Sequence, residues 1–359
     1  MSSLALTASL KSIDESAADP LLQAKARGLM IGYDLRWRDQ QYNVLGIEEY
    51  VEAPLVNVDT SRSSRTFRLA GKIDKRITDE NMRLAFVDHK TTSESIEDPQ
   101  AGYWRQLMVE SQPQHYMLIE WLRGNKVDYA IWDVIRRPSI SPRKLTKAER
   151  NDVVARGYWF GGEVQPPPED RETLEMYTAR LAHDCSVERP FAYFQRRMVA
   201  RHDEQIFDYA RELWMHAEEI RTAQAEQRHP RNSGACLLYG TPCKFLGICS
   251  GYDSPDSDNW KRKAQTHNEL PVLDPDAELL TNSRIRTFQT CRKKHEFEYL
   301  VRIERVDAEE REVIAFGSLM HQALDAWWGA QRKENNGNSN ITSPVAGIGT
   351  AAEPVGCQQ

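Results

Sequence analysis

Alternating apolar and polar positions in the first third of the chain predict a pair of neighbouring β-strands. In residues 65–77, apolar side chains such as Phe67 and Ile73 alternate with polar ones, as in a half-buried strand. The polar stretch 78–81 predicts a turn, and residues 84–90 predict the partner strand. Side chains two positions apart in a strand share a face, so a hairpin would bring polar side chains of both strands to one side.

Further elements are predicted on both sides of this hairpin. Residues 20–37 carry apolar side chains at helical spacing, and residues 46–56 predict a strand. After the hairpin, an apolar helix starts near Pro113 and runs through Trp121, and residues 126–137 predict a strongly apolar strand. The order strand, strand, helix, strand predicts an α/β domain.

Two carboxylates and a lysine fall at the end of the predicted hairpin. Asp88 and Lys90 are two positions apart and therefore point the same way, and Asp74 can reach that side if the strands pair. Carboxylate oxygens suit Mg²⁺ or Mn²⁺, and a nearby ammonium can steady an attacking water or the charge that develops on a phosphodiester. The alternative is a hairpin whose charges simply face water.

Three short motifs follow one another along this stretch: Gly71-x-x-Asp74, Asp88-x-Lys90 and Gln112-x-x-x-Tyr116. In this order they resemble the PD-(D/E)XK nuclease superfamily, and most closely its RecB/Cas4-like exonucleases, which are often phage-encoded. The resemblance implies a core with a central mixed β-sheet flanked by helices. Gln112 and Tyr116 share one face of the predicted helix, and the resemblance implies that they position the substrate backbone.

The same resemblance implies roles for the hairpin residues. Asp74 and Asp88 would be metal ligands, the carbonyl of His89 would be a further ligand, and Lys90 would be the catalytic lysine. Some nucleases of this type place an acid on the preceding strand, which makes Glu48 a candidate accessory ligand. For Glu48 the alternative is a solvated strand edge.

Composition and charge set limits on this hypothesis. The chain has 359 residues and is 40% hydrophobic, which is enough for one large domain or two ordinary ones. We find neither an apolar run of roughly 18 residues nor a signal peptide in residues 1–19, and therefore expect a cytoplasmic protein without a membrane partner. The net charge of -6 does not indicate a nucleic-acid binder. Two basic segments, 136–147 and 284–294, are either DNA contacts or solvated faces.

Three of the six cysteines lie close together in the turn-rich segment 232–252: Cys236, Cys243 and Cys249. In a chain without a secretion signal, this clustering favours metal binding over disulfides. Scattered free thiols that pack as small hydrophobic groups are the alternative. A tetrahedral site needs a fourth ligand, for which Zn²⁺ accepts Cys or His, whereas a [4Fe–4S] cluster needs Cys.

The fourth cysteine ligand is expected from a helix predicted at residues 283–300, which carries Cys291 on its apolar stripe. The stretch 283–294 resembles the opening helix of iron–sulfur members of the nuclease family, in which one cysteine near the start joins three near the end. The resemblance implies that Cys291 completes a [4Fe–4S] site, with zinc as the alternative. Cys185 and Cys357 do not match this pattern.

The order of the motifs departs from the order usual in the family. Residues 316–328 contain Gly317-x-x-x-His321, which resembles the first motif of the family, where the histidine can bind a second metal ion. A histidine packed in the core is the alternative. In the family the cysteine helix and this helix come first, whereas here both come last. The simplest account is a circular permutation.

This account divides the chain into five parts, which are a lead-in (1–19), a nuclease core with a C-terminal cysteine loop (20–250), an acidic linker (251–282), helices equivalent to the family's N-terminal part (283–328) and a disordered tail (329–359). Two other accounts stay open. The chain can be a fragment of tandem copies, or two chains can exchange segments in an oligomer.

The expected function is a metal-dependent DNA nuclease, in particular an exonuclease, with Mg²⁺ or Mn²⁺ at the active site and a structural [4Fe–4S] cluster. The resemblance implies DNA as partner and a further partner such as a recombination protein or a helicase. A catalytically inactive DNA-binding or interaction module derived from such a nuclease is the second hypothesis. A zinc-stapled structural protein is the third.

Overall fold

Helices and strands alternate along most of the chain in this computed structural model, which describes residues 3–40, 42–267, 270–271, 277–307 and 311–338. The helices are α1 (Leu4–Asp14), α2 (Pro20–Trp37), α3 (Gly102–Met108), α4 (Gln112–Leu122), α5 (Lys147–Arg156), α6 (Leu174–His183), α7 (Pro190–Tyr193), α8 (Asp203–Glu226), α9 (Leu246–Ser250), α10 (Asn282–Thr290), α11 (Arg292–His295) and α12 (Glu312–Asn338). The strands are β1 (Asn43–Asn57), β2 (Arg62–Thr78), β3 (Leu84–Thr92), β4 (Tyr129–Arg136), β5 (Tyr158–Trp159), β6 (Gly162–Glu163), β7 (Phe194–Val199), β8 (Trp260–Arg262), β9 (Glu278–Leu280) and β10 (Ile303–Arg305).

A mixed sheet with the strand order β1–β2–β3–β4–β7 forms the centre of the fold, and β9 pairs with β2. The β1–β2, β2–β3 and β4–β7 pairs are antiparallel, whereas β3–β4 and β2–β9 are parallel. The predicted hairpin is β2 and β3, joined by a short turn, and α4 and β4 follow in the predicted order. The structure therefore confirms an α/β fold with a central mixed sheet.

Helices cover both faces of the sheet because its strands bury apolar side chains on both sides. Phe86 packs in the core that α4, α8 and α10 share, and its neighbour Val87 packs in the opposite core with α1, α2, α6 and α12. Successive side chains of β3 thus face two different helical layers. This explains why the sequence around β3 is apolar at consecutive positions instead of strictly alternating.

Helix α12 is the last element in the sequence, and it packs against elements from the beginning of the same chain. It packs against α1, α2 and β1, with Trp327 and Trp328 buried, and the indole of Trp327 donates to Asp34. The approach to β3 is close at Gly317, where a Cβ atom would lie 3.3 Å from the hydroxyl of Thr91. Helix α12 is therefore part of the core.

Two predictions at the ends of the chain need correction. Residues 1–19 were predicted to be a lead-in outside the nuclease core, but α1 packs against α12 and buries Leu6 and Ile13. The partner of α1 lies about 300 residues away in sequence, so local composition does not reveal it. The tail was expected to be disordered from residue 329 onwards, but α12 extends to Asn338. The remainder of the tail lies outside the described residues.

The linker and the cysteine helix also differ from prediction. The linker was placed at 251–282, yet Glu278–Leu280 forms strand β9 on the central sheet. The helix predicted at 283–300 breaks at Cys291, which adopts an extended conformation between α10 and α11. The pattern of apolar residues continues through the break, which is why periodicity predicted a single helix.

One buried ion pair fastens α12 to the sheet. The side chain of Lys75 on β2 is fully buried, and its ammonium contacts the carboxylate of Asp325 on α12 and lies 3.9 Å from Glu48. A buried ammonium without a counter-charge is costly. Lys75 can therefore be buried at low cost only when α12 is packed in this position.

Removing this counter-charge should destabilise the fold. We expect Asp325→Ala to lower the free energy of unfolding by about 2–3 kcal/mol, somewhat less than full loss of a buried pair, because Glu48 remains near the ammonium. Urea unfolding followed by circular dichroism measures this. The control is Glu15→Ala, which removes the exposed Lys11–Glu15 pair and should cost less than about 1 kcal/mol. Equal effects of the two substitutions would contradict this account of α12.

Candidate functional site

Three side chains that could hold a metal ion lie where β1, β2 and α12 meet. Glu48, Asp74 and His321 each offer one ligand atom, and these atoms lie within 4.8 Å of one another. The imidazole Nδ1 of His321 is 3.8 Å from a carboxylate oxygen of Asp74. Helix α12 thus delivers its histidine to the acid of the hairpin within one chain. The resulting donor set of two carboxylates and one imidazole suits a divalent cation.

The backbone conformation of β1 directs the side chain of Glu48 towards Asp74 and His321. Glu48 has φ 52, in the left-handed region that costs energy for a residue with a side chain. The pairing of β1 with β2 shifts between Val44 and Gly46, just before it. Its Oε1 atom is buried without a hydrogen-bond partner among the described residues. The sequence alone did not decide whether Glu48 is a metal ligand or part of a solvated strand edge. Gly46 within the predicted strand was the available signal, because a glycine inside a strand often marks a bulge.

The two predicted carboxylates of the hairpin lie close enough to affect each other. Burial raises the pKa of Asp74, and the charge of Asp88 raises it further. Burial also raises the pKa of Asp88, against the opposing effect of the Lys90 ammonium 2.7 Å away. A cation would offset the cost of ionising both acids. In the structure Asp88 contacts Lys90, whereas Asp74 lies in the close group with Glu48 and His321.

A chain of hydrogen bonds links Lys90 to the start of α4. The Lys90 ammonium donates to Gln112 Oε1 (2.7 Å), the Gln112 amide donates to Tyr116 Oη (3.1 Å), and Tyr116 donates to the carbonyl of Lys72 (2.8 Å). The Tyr116 ring also lies against Gly71, where a Cβ atom would come within 2.5 Å of it. The residues of the three motifs therefore form one connected group.

The side chain of His89 lies on the other face of β3 from Asp88 and Lys90, with its ring 6.0 Å from that of His321. Its backbone N–H donates to Asp74 (2.8 Å), while its buried imidazole pairs with Asp133 at 3.3 Å. Burial lowers the pKa of His89. Asp133 also accepts from Tyr33 and pairs with Arg196, and these partners lower its pKa even though burial acts in the opposite direction. The sequence patterns did not predict this network; an aspartate inside an apolar strand was the available signal.

His115, a residue of α4, links this helix to β2 and α8. It is fully buried, with one ring nitrogen 3.1 Å from the hydroxyl of Tyr209 and the other 3.1 Å from the carbonyl of Ala70. A neutral imidazole satisfies both contacts by donating to the carbonyl and accepting from the hydroxyl. Burial lowers the pKa of His115 to about 4. The contacts that hold α4 against β2 and α8 therefore depend on a histidine that must stay neutral.

The four predicted cysteine ligands gather at the far end of α10. The backbone N–H of Asn232 contacts the Cys291 sulfur at 3.5 Å, and the N–H of Cys243 donates to the carbonyl of Cys236 (2.8 Å). Burial raises the pKa of Cys249, and the nearby thiols of the other three raise it further. The extended backbone at Cys291 places this residue beside the cysteine loop.

The surroundings of these thiols are apolar on one side. The four cysteines are free, and Cys243 and Cys249 pack against a small core that contains Phe245, Trp260 and Phe297. Thiolate ligands with an apolar wall are a common setting for a bound metal centre. Cys185, by contrast, is buried in the main core near α2, as expected for a residue outside the set, and Cys357 lies outside the described residues.

The basic segments are only partly free to meet a ligand. Arg284 is buried, donates to the carbonyl of Leu279 and pairs with Glu278, so it is neither a DNA contact nor a solvated face. Arg286 is about half exposed. In the other segment Arg137 pairs with Glu312 on α12.

Comparison with known proteins gives one match. The model of the PD-(D/E)XK nuclease superfamily matches residues 3–250 and 280–345, which is most of the chain. No curated protein and no solved structure matches it significantly. Within the described part of the chain, no helix combines the length and apolarity that crossing a membrane requires.

The buried histidine predicts a pH dependence of stability. Because the folded state lowers the pKa of His115, a proton binds the unfolded chain more tightly. The contribution of His115 to the free energy of unfolding is therefore fully present above the unfolded pKa of about 6.5 and is lost as the pH drops towards about 4. We expect His115 to account for a loss of about 2 kcal/mol between about pH 7.5 and about pH 5. Urea unfolding of wild type and His115→Gln at both pH values measures this; an equal pH dependence in the two proteins would contradict it.

Proposed function

Since the chain belongs to the PD-(D/E)XK nuclease superfamily, we propose that it is a metal-dependent deoxyribonuclease that hydrolyses phosphodiester bonds of DNA as an exonuclease. The observation that carries this proposal is the meeting of Glu48, Asp74 and His321 from three separate elements, next to the Asp88–Lys90 pair. A solvated hairpin, the alternative at the level of sequence, would not bury its carboxylates.

The donor set fits Mg²⁺ or Mn²⁺. Glu48, Asp74 and His321 would hold the ion, with Asp88 and the carbonyl of His89 as further ligands. Two observations support this: the Oε1 of Glu48 is buried without a hydrogen bond, with the Lys75 ammonium 3.9 Å away, and burial raises the pKa of Asp74. A bound cation would coordinate the first group and offset the cost of ionising the second. When bound, such an ion lowers the pKa of a water and polarises the phosphodiester.

The remaining residues orient the reacting groups. Lys90 steadies the attacking water or the charge that develops on the phosphate, since its ammonium lies directly beside Asp88. Gln112 holds the Lys90 ammonium from the other side, and Tyr116 holds Gln112 in turn. Gln112 and Tyr116 also line a cavity next to the site, where they can contact the substrate backbone.

For the cysteines we propose a structural [4Fe–4S] cluster held by Cys236, Cys243, Cys249 and Cys291, with zinc as the alternative. Four free thiols near one another, drawn from α10 and from a loop about 50 residues earlier, support a shared centre. An all-cysteine set suits either centre. The cluster would tie the end of α10 to the cysteine loop.

We further propose that the order of elements is a circular permutation of the family's order. The family model matches two stretches that flank residues 251–279, where the linker was expected. Helix α12 packs on α1, α2 and β1 of its own chain. An exchange of segments between two chains is not needed to bring His321 to Asp74.

The first test of the nuclease proposal is Asp74→Asn. We expect the rate of Mg²⁺- or Mn²⁺-dependent degradation of end-labelled linear DNA to fall by about 10³-fold, because a metal ligand is lost, while the fold is retained. The control is Asp39→Asn, which changes an exposed carboxylate just after α2 and should leave the rate unchanged.

The outcomes separate the two hypotheses. Wild-type rates in Asp74→Asn would refute the assignment of the site. A wild-type protein that binds DNA but leaves it intact in both metals would identify the inactive DNA-binding module instead. Release of mononucleotides from DNA ends, compared with cutting of a closed circle, tests the exonuclease part of the proposal.

The cluster is tested by metal content. We expect protein purified without oxygen to be brown and to contain iron and sulfide, and Cys291→Ser to lose most of both. Cys185→Ala is the matched control and should retain them, since Cys185 lies in the main core. A colourless protein with stoichiometric zinc would show the alternative centre, and protein with neither metal would refute a bound centre.

A further inference from the structure

A cavity of about 310 Å³ adjoins the proposed catalytic group, between β2 and the starts of α4 and α10. Polar groups from all three elements line it: Lys72, Gln112, Tyr116, Asn282, Ser283 and Arg286. Gln112 and Tyr116 connect it directly to Lys90 through hydrogen bonds. Pockets that hold small ligands run from roughly 300 Å³ upwards, and this cavity lies at the lower end of that range.

Arg286 lies at the edge of this cavity, where hydrogen bonds to Glu110 orient its side chain. Its Nη1 atom donates both of its hydrogen bonds to the carboxylate of Glu110, at 2.9 Å each. The Glu110 side chain is only 11% exposed, whereas that of Arg286 is 52% exposed. The Nε and Nη2 groups of Arg286 have no acceptor among the described residues. Glu110 therefore fixes the orientation of a guanidinium that still has donors to offer, and such a fork matches the oxygens of a phosphate.

The other walls of the cavity also offer donors. The hydroxyl of Ser111 donates to Asn282 Oδ1 at 2.7 Å, which occupies the acceptor of that amide and leaves its NH₂ group to donate. Lys72 lies across the cavity, with its ammonium paired to Glu48. Donors from β2 and α10 thus surround one small space next to the proposed reacting groups.

We propose that this cavity binds the backbone phosphate next to the scissile one, with Arg286 as the main ligand and Lys72 and Asn282 as supporting donors. The inference rests on the proposed nuclease function and names the place where the substrate strand continues beyond the site. It also assigns a role to the start of α10. In this role Glu110 is a positioning residue, because it acts through Arg286.

The test measures binding of a labelled single-stranded oligonucleotide as a function of salt, in an Asp74→Asn background that prevents cleavage. We expect Arg286→Ala to weaken binding for every sequence and to reduce the slope of log K against log salt by about 0.7, the value for one phosphate contact on single strands. Arg286→Lys keeps the charge but not the fork, and should retain the slope with weaker binding.

The matched control is Arg211→Ala. Arg211 is also a half-exposed arginine in ion pairs, with Asp59 and Asp208, but it lies on α8 and does not line the cavity. This variant should keep the slope of the Asp74→Asn parent. In otherwise wild-type protein, Arg286→Ala should raise KM for DNA more than it lowers kcat.

Each outcome bears on one proposal or on both. A slope for Arg286→Ala equal to that of Arg211→Ala would overturn the phosphate site, as would unchanged KM. If Asp74→Asn abolishes cleavage in that case, the nuclease proposal still stands. Wild-type protein that neither binds nor cuts DNA would overturn both.

Urea unfolding of each variant verifies that the fold is retained. If Arg286→Ala does not fold, Arg286→Lys replaces it as the deciding variant. Weaker binding by Arg286→Lys than by the Asp74→Asn parent then supports the phosphate site, because only the fork has been lost. Binding equal to that of the parent overturns it.

Discussion

The group formed by Glu48, Asp74 and His321 depends on the packing of α12 across the first strands of the sheet. The contact is held by charge as well as by apolar surface, because Lys75 buries its ammonium only where Asp325 of α12 meets it. One turn earlier on the same helix, His321 reaches Asp74. Burying a lysine ammonium without a counter-charge costs free energy, so packing that pairs Lys75 with Asp325 is favoured. The same packing places the imidazole of His321 beside Asp74.

Other features of the site follow from the same arrangement. The close approach of α12 to β3 occurs at Gly317, and the left-handed backbone at Glu48 belongs to a residue whose carboxylate lies within 4.8 Å of ligand atoms of Asp74 and His321. Such local strain persists only where surrounding structure imposes it. On the opposite side of the sheet, Gln112 of α4 accepts a hydrogen bond from Lys90, and α10 runs from the cavity lined by Arg286 to the cysteines. We propose that a bound cluster fixes the far end of α10 and thereby the near end, where Arg286 lies.

Local sequence patterns predicted the hairpin, the α4 helix and the apolar strand β4, because periodicity and turn chemistry are local properties. They also placed Asp88 and Lys90 on one face, which their contact at 2.7 Å confirms. Local patterns could not predict the packing of α1 on α12, the ion pair of Lys75, or the link between His89 and Asp133, because each joins residues far apart in sequence. The break at Cys291 was missed because apolar spacing continues through it.

The most direct test of the account is the position of a bound Mn²⁺ ion, located by its anomalous X-ray scattering in crystals of the protein. The account predicts one strong peak within bonding distance of both Asp74 and His321 of the same protomer, with Glu48 beside it. A peak that contacts Asp74 while His321 remains remote would contradict it. So would a site completed by a histidine from a second protomer.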